Sequence, residues 1–554
     1  MTAAIFFHPE GYTTSGPKLM GRNAAGESFL RGFLAYNQGS ALWAQVGKSA
    51  HAQLFVQTAR DAGRNQPVKI VGRNTLATLS QPGTLYCPGP GIGVQAWQRA
   101  AYGHGRWSLC GITHTTASVG VMDSITDWIS SPVQSWDAVI CTSRAVRSNV
   151  ECVLRAQADY LLQRLGVQRM IMPQLPVIPL GVHTGDFTFS AAQRNAARTT
   201  LGADDQTLIV LFVGRLSFHA KAHPLAVYQA LQKAAGKLPD GHRILLVECG
   251  WHANDFIARA FKEAAQAACP DVRVVTLDGR KADDRQAAWT SADVFCSLSD
   301  NIQETFGIAP IEAMAAGLPI VVADWDGYKD TVRDGVDGFR IPTLMPQAGL
   351  GGDLALRHAL GIDTYDRYCG NTCSLVAVDV DAAALAFSRL FASAELRRTM
   401  GNAGRKRAQE IYEWAKIIPQ YEALWTQLAE LRKAQAKNLP LLQHPWPARM
   451  DPFAAFAAYP TTTLTKETLL TLSAEDPVPL LKKLQGLAMI NFAKDILPTE
   501  AELHTLLSLL AERPQTAGEL VRDVPALREG VVLRALAWLA KLGIVSLSPH
   551  EAAV

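Results

Sequence analysis

The chain has 554 residues, of which 48% are hydrophobic, and a formal net charge of +3; this is ordinary for a globular protein and leaves material for three or four folded units. No run of about 18 apolar residues occurs, and the opening stretch MTAAIFFHPEGYTTSG lacks a basic leader, so neither a membrane span nor a signal peptide is expected and a cytoplasmic protein is. Of the nine cysteines only Cys369 and Cys373 are close, with no second pair or nearby histidines to complete a zinc site, so free thiols are expected.

Residues 1–190 carry 15 Lys and Arg against 9 Asp and Glu. Such an excess suits phosphates, an anionic lipid surface or nucleic acid without choosing among them, and a solvated surface accounts for it as well. Strands are predicted at Ala4–Phe7, Leu54–Gln57, Val68–Val71, Leu109–Thr113 and Ala138–Thr142, with helical patterns between several of them, which implies a parallel sheet covered on both faces. After the first strand, Gly21-Arg-Asn-Ala-Ala-Gly26 reads as a small-residue loop opening a helix. Its backbone amides can meet a diphosphate, although a plain strand-to-helix turn fits equally. His114 follows the strand Leu109–Thr113, at the carboxyl end where open α/β sheets bind ligands. Trp136 to Ser143, followed by Arg144 and Arg147, reads as the last strand of this domain and the helix after it.

The continuous apolar run Leu208–Val213 is expected of a strand buried on both faces. It leads into Gly214-Arg215-Leu-Ser-Phe-His-Ala-Lys221, where a forked guanidinium and a compact ammonium can together neutralise a diphosphate. Ile244–Glu248, Val272–Leu277 and Val294–Ser297 are three further strands. Next, Glu304-Thr-Phe-Gly307 reads as a loop, and Pro310 suits the first turn of a helix that buries Ile311 and Met314. Gly317 closes that helix before the strand Ile320–Ala323. The N–H groups around Phe306, Gly307 and Ile308 then point outward with the positive end of the helix dipole, toward a phosphate or a sugar oxygen. Gly307 lets a ligand approach the backbone. Glu304 before the helix and Glu312 in its first turn can flank one ligand and accept hydrogen bonds from its hydroxyls; taken alone, they also fit a helix-start charge and a solvated glutamate.

The run from Ser299 to Thr343, down to the Ala-Met-Ala-Ala-Gly-Leu-Pro after Glu312, resembles the donor-sugar segment of glycosyltransferase family 4 (glycosyl transferases group 1). These are retaining enzymes with the two-Rossmann architecture called GT-B, and the resemblance covers roughly residues 3–435. It implies two Rossmann-like domains, 1–190 on the acceptor side and 191–400 on the donor side, with an interdomain cleft. Helices 401–436 would cross back to the first domain, with Ile417–Leu428 as the crossing segment. It also implies that Arg215 and Lys221, after Gly214, bind the donor phosphates, although Ala222 stands where many members have glycine. Glu304 would hold the donor sugar and Glu312 the ribose, with Gly21 and Gly26 near donor and acceptor and His114 in the acceptor or donor site. Retaining transfer from a nucleoside diphosphate sugar is the implied activity, with no metal and no further cofactor. Asp324-Trp-Asp326 and Asp379-Val-Asp381 have the Asp-x-Asp form used for divalent cations by transferases of the other common fold, a pattern frequent by chance. A silent sugar-nucleotide sensor, an epimerase and a phosphorylase are the alternatives; the last needs a pyridoxal-phosphate lysine that no motif supplies.

Residues 344–378 fit no simple periodic pattern and read as an insertion over one face. Arg405-Lys406-Arg407 reads as a solvated helix face. Pro440, Pro445 and Pro447 mark a linker over 437–460. Beyond it, Thr516-Ala-Gly-Glu519 has the form of a capping box, and the helix Val531–Leu542 ends at Gly543 before the strand Ile544–Leu547, which gives 461–554 a mainly helical, winged-helix-like outline. The helix offers only Arg534 and Lys541, and residues 500–554 hold 5 Lys and Arg against 7 Asp and Glu. Nucleic acid is therefore not expected there, and a protein partner or self-association is. The acceptor, whether glycan, lipid, protein or small molecule, is written in no motif, and peripheral membrane contact stays open.

Overall fold

Short apolar runs separated by amphipathic helices build two parallel six-stranded sheets in a computed structural model that describes residues 2–14, 21–439, 442 and 444–548. The first sheet contains β1 (Ala4–Phe7), β2 (Leu42–Val46), β3 (Val68–Val71), β4 (Thr84–Tyr86), β5 (Ser108–Ile112) and β6 (Ala138–Ile140), in the order β3-β2-β1-β4-β5-β6. In register, Ile5 lies opposite both Ala44 and Tyr86. The expected strand Leu54–Gln57 is instead part of the helix Ser49–Asp61. Phe55 and Ala59, four residues apart, are buried there while Leu54 is exposed, so the helical period overrides the short apolar run. The second sheet contains β7 (Thr207–Val213), β8 (Arg243–Gly250), β9 (Arg273–Asp278), β10 (Val294–Ser297), β11 (Ile320–Ala323) and β12 (Gly338–Ile341), in the order β12-β11-β10-β7-β8-β9. Each sheet reverses direction of winding at its centre, between β1 and β4 and between β7 and β10. The loops that diverge at such a point open a crevice at the carboxyl ends of the strands.

Five helices frame that crevice and the contacts around it: α1 (Gly21–Tyr36), α2 (Arg144–Leu165), α3 (Ile308–Ala316), α4 (Tyr365–Cys373) and α5 (Trp414–Gln435). The chain crosses between the sheets twice, side by side. Val182 N–H donates to the Tyr412 carbonyl at 2.7 Å, and the Glu413 carboxylate accepts from Thr184 N–H at 2.9 Å and from its hydroxyl at 2.6 Å. After the second crossing, α5, which contains the expected segment Ile417–Leu428, packs on the first domain. Tyr421 and Trp425 meet Phe29, Phe33 and Tyr86 at centroid separations of 5.4–6.3 Å. Gly32 and Gly181 admit the Trp414 indole between them: a β-carbon at either would lie 2.6 or 2.5 Å from the ring.

Thr343–Leu344 and Ala377–Val378 pair antiparallel and tie together the base of the insertion, which holds the helix Gly352–Ala359 and α4. The chain divides by contacts into Met1–Trp446 and Pro447–Val554. The second unit has a small antiparallel sheet, with Leu469–Leu472 between Gln515–Thr516 and Val545–Ser548. It is backed by helices Glu500–Glu512, Ala517–Leu520 and Ala526–Lys541 around Leu503, Leu507, Leu536 and Ile544. Thr516 and Glu519 form the capping box. The expected linker contains the short turns Pro447–Arg449 and Pro452–Ala455, and Pro440 lies outside the described residues.

Candidate functional site

The crevice between β7 and β10 is where the expected donor residues converge. Leaving β7, Gly214 takes φ 155°, and a β-carbon there would sit 3.4 Å from Lys221 Cε. The following loop curls so that Arg215 Nη2 donates to the Ala220 carbonyl at 2.6 Å and Lys221 N–H to the Ser217 carbonyl at 3.1 Å. Ala222 stays outside the left-handed backbone region, so the loop does not need a glycine there. The Lys221 ammonium is ion-paired with the Glu304 carboxylate, which arrives on the loop after β10. The Tyr328 hydroxyl lies 3.3 Å from the same carboxylate oxygen and 2.9 Å from Ser297 Oγ. Burial opposes ionisation of Glu304, but Lys221 and the hydrogen bonds from Thr305 N–H and Tyr328 outweigh it and hold the group below the usual carboxylate range.

Gly307 caps α3 at φ 80°, and a β-carbon there would come within 2.1 Å of the Tyr328 ring. Phe306 is buried beneath the loop, and Ile308 opens the helix. Glu312 is the fifth helical residue and not in the first turn as expected, because the helix begins at Ile308, two residues before Pro310. It is half-buried on the side of Arg285. Burial pushes its carboxyl up to about 7 against the lowering influence of that guanidinium.

The facing wall comes from the first domain. The His114 carbonyl accepts the Thr305 hydroxyl at 2.8 Å, and Ser143 Oγ donates to the Thr305 carbonyl at 2.8 Å. Arg144, the first residue of α2, forms an ion pair with Asp330 at 2.7 Å. Burial, assisted by Arg22, pushes His114 down to about 4, so its ring is neutral at physiological pH. Gly21 and Gly26 are within α1 and do not form the expected loop. Gly26 has a packing reason, because a β-carbon there would meet the Gly11 carbonyl oxygen at 1.9 Å; Gly21 is exposed, with open space around it.

The insertion reaches the same place. Gly370 on α4 lies against His219, with a hypothetical β-carbon 2.9 Å from its Cβ. Cys373 Sγ lies 3.5 Å from the Phe218 carbonyl. The Tyr365 hydroxyl reaches Thr115 of the first domain and feels the charge of Arg215. The Asp-x-Asp pairs have other engagements: Asp324 faces Arg340 at 3.4 Å, Asp379 caps the helix Val380–Ala392, and Asp381 pairs with Lys233 at 2.5 Å. Ser143, Arg285, Tyr328 and Tyr365 carry no sequence signal of a site role, and Asp326 only that of the Asp-x-Asp form; each meets the site through a contact distant in the chain, which no local pattern announces.

Residues 193–348 match the family model described as glycosyl transferases group 1. The D-inositol 3-phosphate glycosyltransferase of Mycolicibacterium gilvum is 34% identical over 164 residues, 29% of this chain and 34% of the relative. That of Mycobacterium marinum is 30% identical over 184 residues, 32% and 36% of the two chains. The chain thus spans about a third of the length of the curated relatives it matches. Among solved structures, Anabaena HepE in complex with UDP superposes with a TM-score of 0.50 at 16% identity, over 77% of this chain and 100% of that one. The two Rossmann-like domains are therefore those of the GT-B fold.

Proposed function

We infer that this chain, whose residues 193–348 form a glycosyl transferases group 1 domain, moves a sugar from a nucleoside diphosphate donor to an acceptor, with retention of configuration and without a metal. The observation that carries the reading is the meeting of Arg215, Lys221, Glu304 and the start of α3 at the point where the second sheet reverses, with the His114 backbone carbonyl holding Thr305 from the first domain. Cations on one loop and helix N–H groups on the next supply fixed positive charge for a leaving diphosphate. Glu304, ionised and held by Tyr328, accepts hydrogen bonds from sugar hydroxyls, and Glu312 accepts from the ribose. The neutral imidazole of His114 offers one donor and one acceptor to a hydroxyl. In the retaining scheme the acceptor attacks from the face the diphosphate leaves. The departing phosphate oxygen takes the acceptor proton while Arg215 and Lys221 stabilise its charge. Closing the two walls expels water from this exchange.

A thermal-shift screen of sugar nucleotides tests the reading, since a ligand that binds only the folded state raises its stability in proportion to affinity. A nucleoside diphosphate sugar is expected to raise the melting temperature, and Arg215→Ala to abolish most of the shift. No shift with any member of the panel would overturn the donor site.

A further inference from the structure

We propose that Asp326 is a positioning residue of the cleft: as a neutral carboxylic acid it donates its proton to the Ser143 hydroxyl and ties the loop carrying Glu304 and Thr305 to the opposite wall. A count of hydrogens at Ser143 carries the inference. Ser143 Oγ lies 2.8 Å from the Thr305 carbonyl, which has no hydrogen to give, so the single hydroxyl hydrogen is used there. The same oxygen accepts Val146 N–H at 3.2 Å. Asp326 Oδ1, 3.3 Å away, therefore meets a lone pair, and the two oxygens attract only if the carboxyl supplies the hydrogen.

The surroundings agree with that state. Asp326 Oδ2 is enclosed without a hydrogen-bond partner among the described residues, a costly place for a charge. Asp326 is also the non-glycine residue with positive φ, at 45°, among the described residues, so the backbone holds its side chain at the cleft. The ionisable groups around it are Glu304, Asp330 and Tyr328, and the nearby cations are engaged elsewhere, Lys221 with Glu304 and Arg144 with Asp330. The anion position at the start of α2 is likewise taken by Asp330, which accepts Arg144 N–H at 2.7 Å. Burial first, with Glu304 and Asp330 adding to it, outweighs the lowering influence of the Gly327 N–H and of the Ser143 contact and pushes the Asp326 carboxyl up to about 8.

Asp326→Asn tests the assignment, because asparagine keeps the shape, tolerates the left-handed backbone and supplies an N–H donor at every pH. Unfolded, Asp326 loses its proton from about its ordinary 3.8, whereas folded it keeps the proton to about 8. Wild-type stability therefore falls relative to the variant as pH rises through that window. Melting curves are expected to show a gap in favour of Asp326→Asn that widens from pH 4 to 8 and is level above; a gap independent of pH would overturn the proposal. This readout needs no ligand. The effect on the donor loop is read with inorganic pyrophosphate, and this second measurement rests on the donor-site reading. At pH 7 Asp326→Ala is expected to weaken pyrophosphate about tenfold and Asp326→Asn to restore it. Equal weakening by both variants would contradict the positioning role. If the wild-type protein itself fails to bind pyrophosphate, it is the donor-site reading that falls, and the melting curves still decide the proton.

Discussion

At the scale of single residues, the pairing of Lys221 with Glu304 defines the free site. The cation that would face the diphosphate is already neutralised, and its side chain is only 21% exposed. Glu304→Gln leaves Lys221 buried without its partner, which should cost about 2 kcal/mol of unfolding free energy, less than a fully buried pair loses. The freed ammonium should bind pyrophosphate several-fold more tightly, while turnover of a donor sugar falls. Denaturant melts and a pyrophosphate titration check both signs; weaker pyrophosphate binding would mean that Glu304 does not compete for Lys221.

Glu312 offers a second test through pH. Its carboxyl is raised from the ordinary 4.5 to about 7, so over that window the folded protein holds a proton the unfolded chain has released, and this group's contribution to stability falls as pH rises. Ribose binding wants the ionised form. The Michaelis constant for the donor should therefore rise as pH drops through 7, and Glu312→Gln should flatten that dependence.

The positions of Arg215, Lys221 and Glu304 on loops, and of Glu312 on the helix that follows, are readable because those segments come after apolar runs read as buried strands, whereas the donor roles come from the family resemblance alone. Asp326 and Ser143 are not: their contact joins residues 183 apart in the chain, and Asp326 is visible only as half of an Asp-x-Asp pattern.

At the scale of elements, strands are readable where a run is uniformly apolar, as in β7, and unreadable where burial and polarity disagree. Gln45 lies inside the fully buried β2, and its presence hides that strand, while Leu54–Gln57 looks like one until the helical spacing of Phe55 and Ala59 is weighed. The 344–378 segment stands apart as an insertion in the sequence, yet its position over the Arg215–Lys221 loop depends on contacts of Gly370 and Cys373 that no periodicity reveals. Because Leu344 and Ala377 are already paired across its base, replacing 346–375 by a two-residue turn should leave the fold intact. The cation loop would lose the backing of α4, and pyrophosphate affinity should fall severalfold. Circular dichroism with a binding titration measures this, and unchanged affinity would show that α4 does not support the loop.

At the scale of the whole molecule, the division after Trp446 separates a unit containing both six-stranded sheets from a smaller one with its own apolar core. A chain ending at residue 446 should therefore fold and bind nucleotide as the full chain does, with any change confined to oligomeric state by light scattering. Loss of nucleotide affinity by orders of magnitude in a folded truncation would show that the second unit contributes to the site.

The central claim is that Arg215 and Lys221, without a metal, stabilise the charge that develops on a departing nucleoside diphosphate. The most direct measurement is the rate of nucleoside diphosphate release from the sugar nucleotide that binds in the thermal-shift panel, taken in excess EDTA for the wild type and for Arg215→Ala. The account predicts undiminished release by the wild type in chelator and a loss of roughly two to three orders of magnitude in turnover for the variant, the scale of removing one preorganised electrostatic partner. Release that stops in EDTA and returns with Mn²⁺, or that survives Arg215→Ala unchanged, would contradict it.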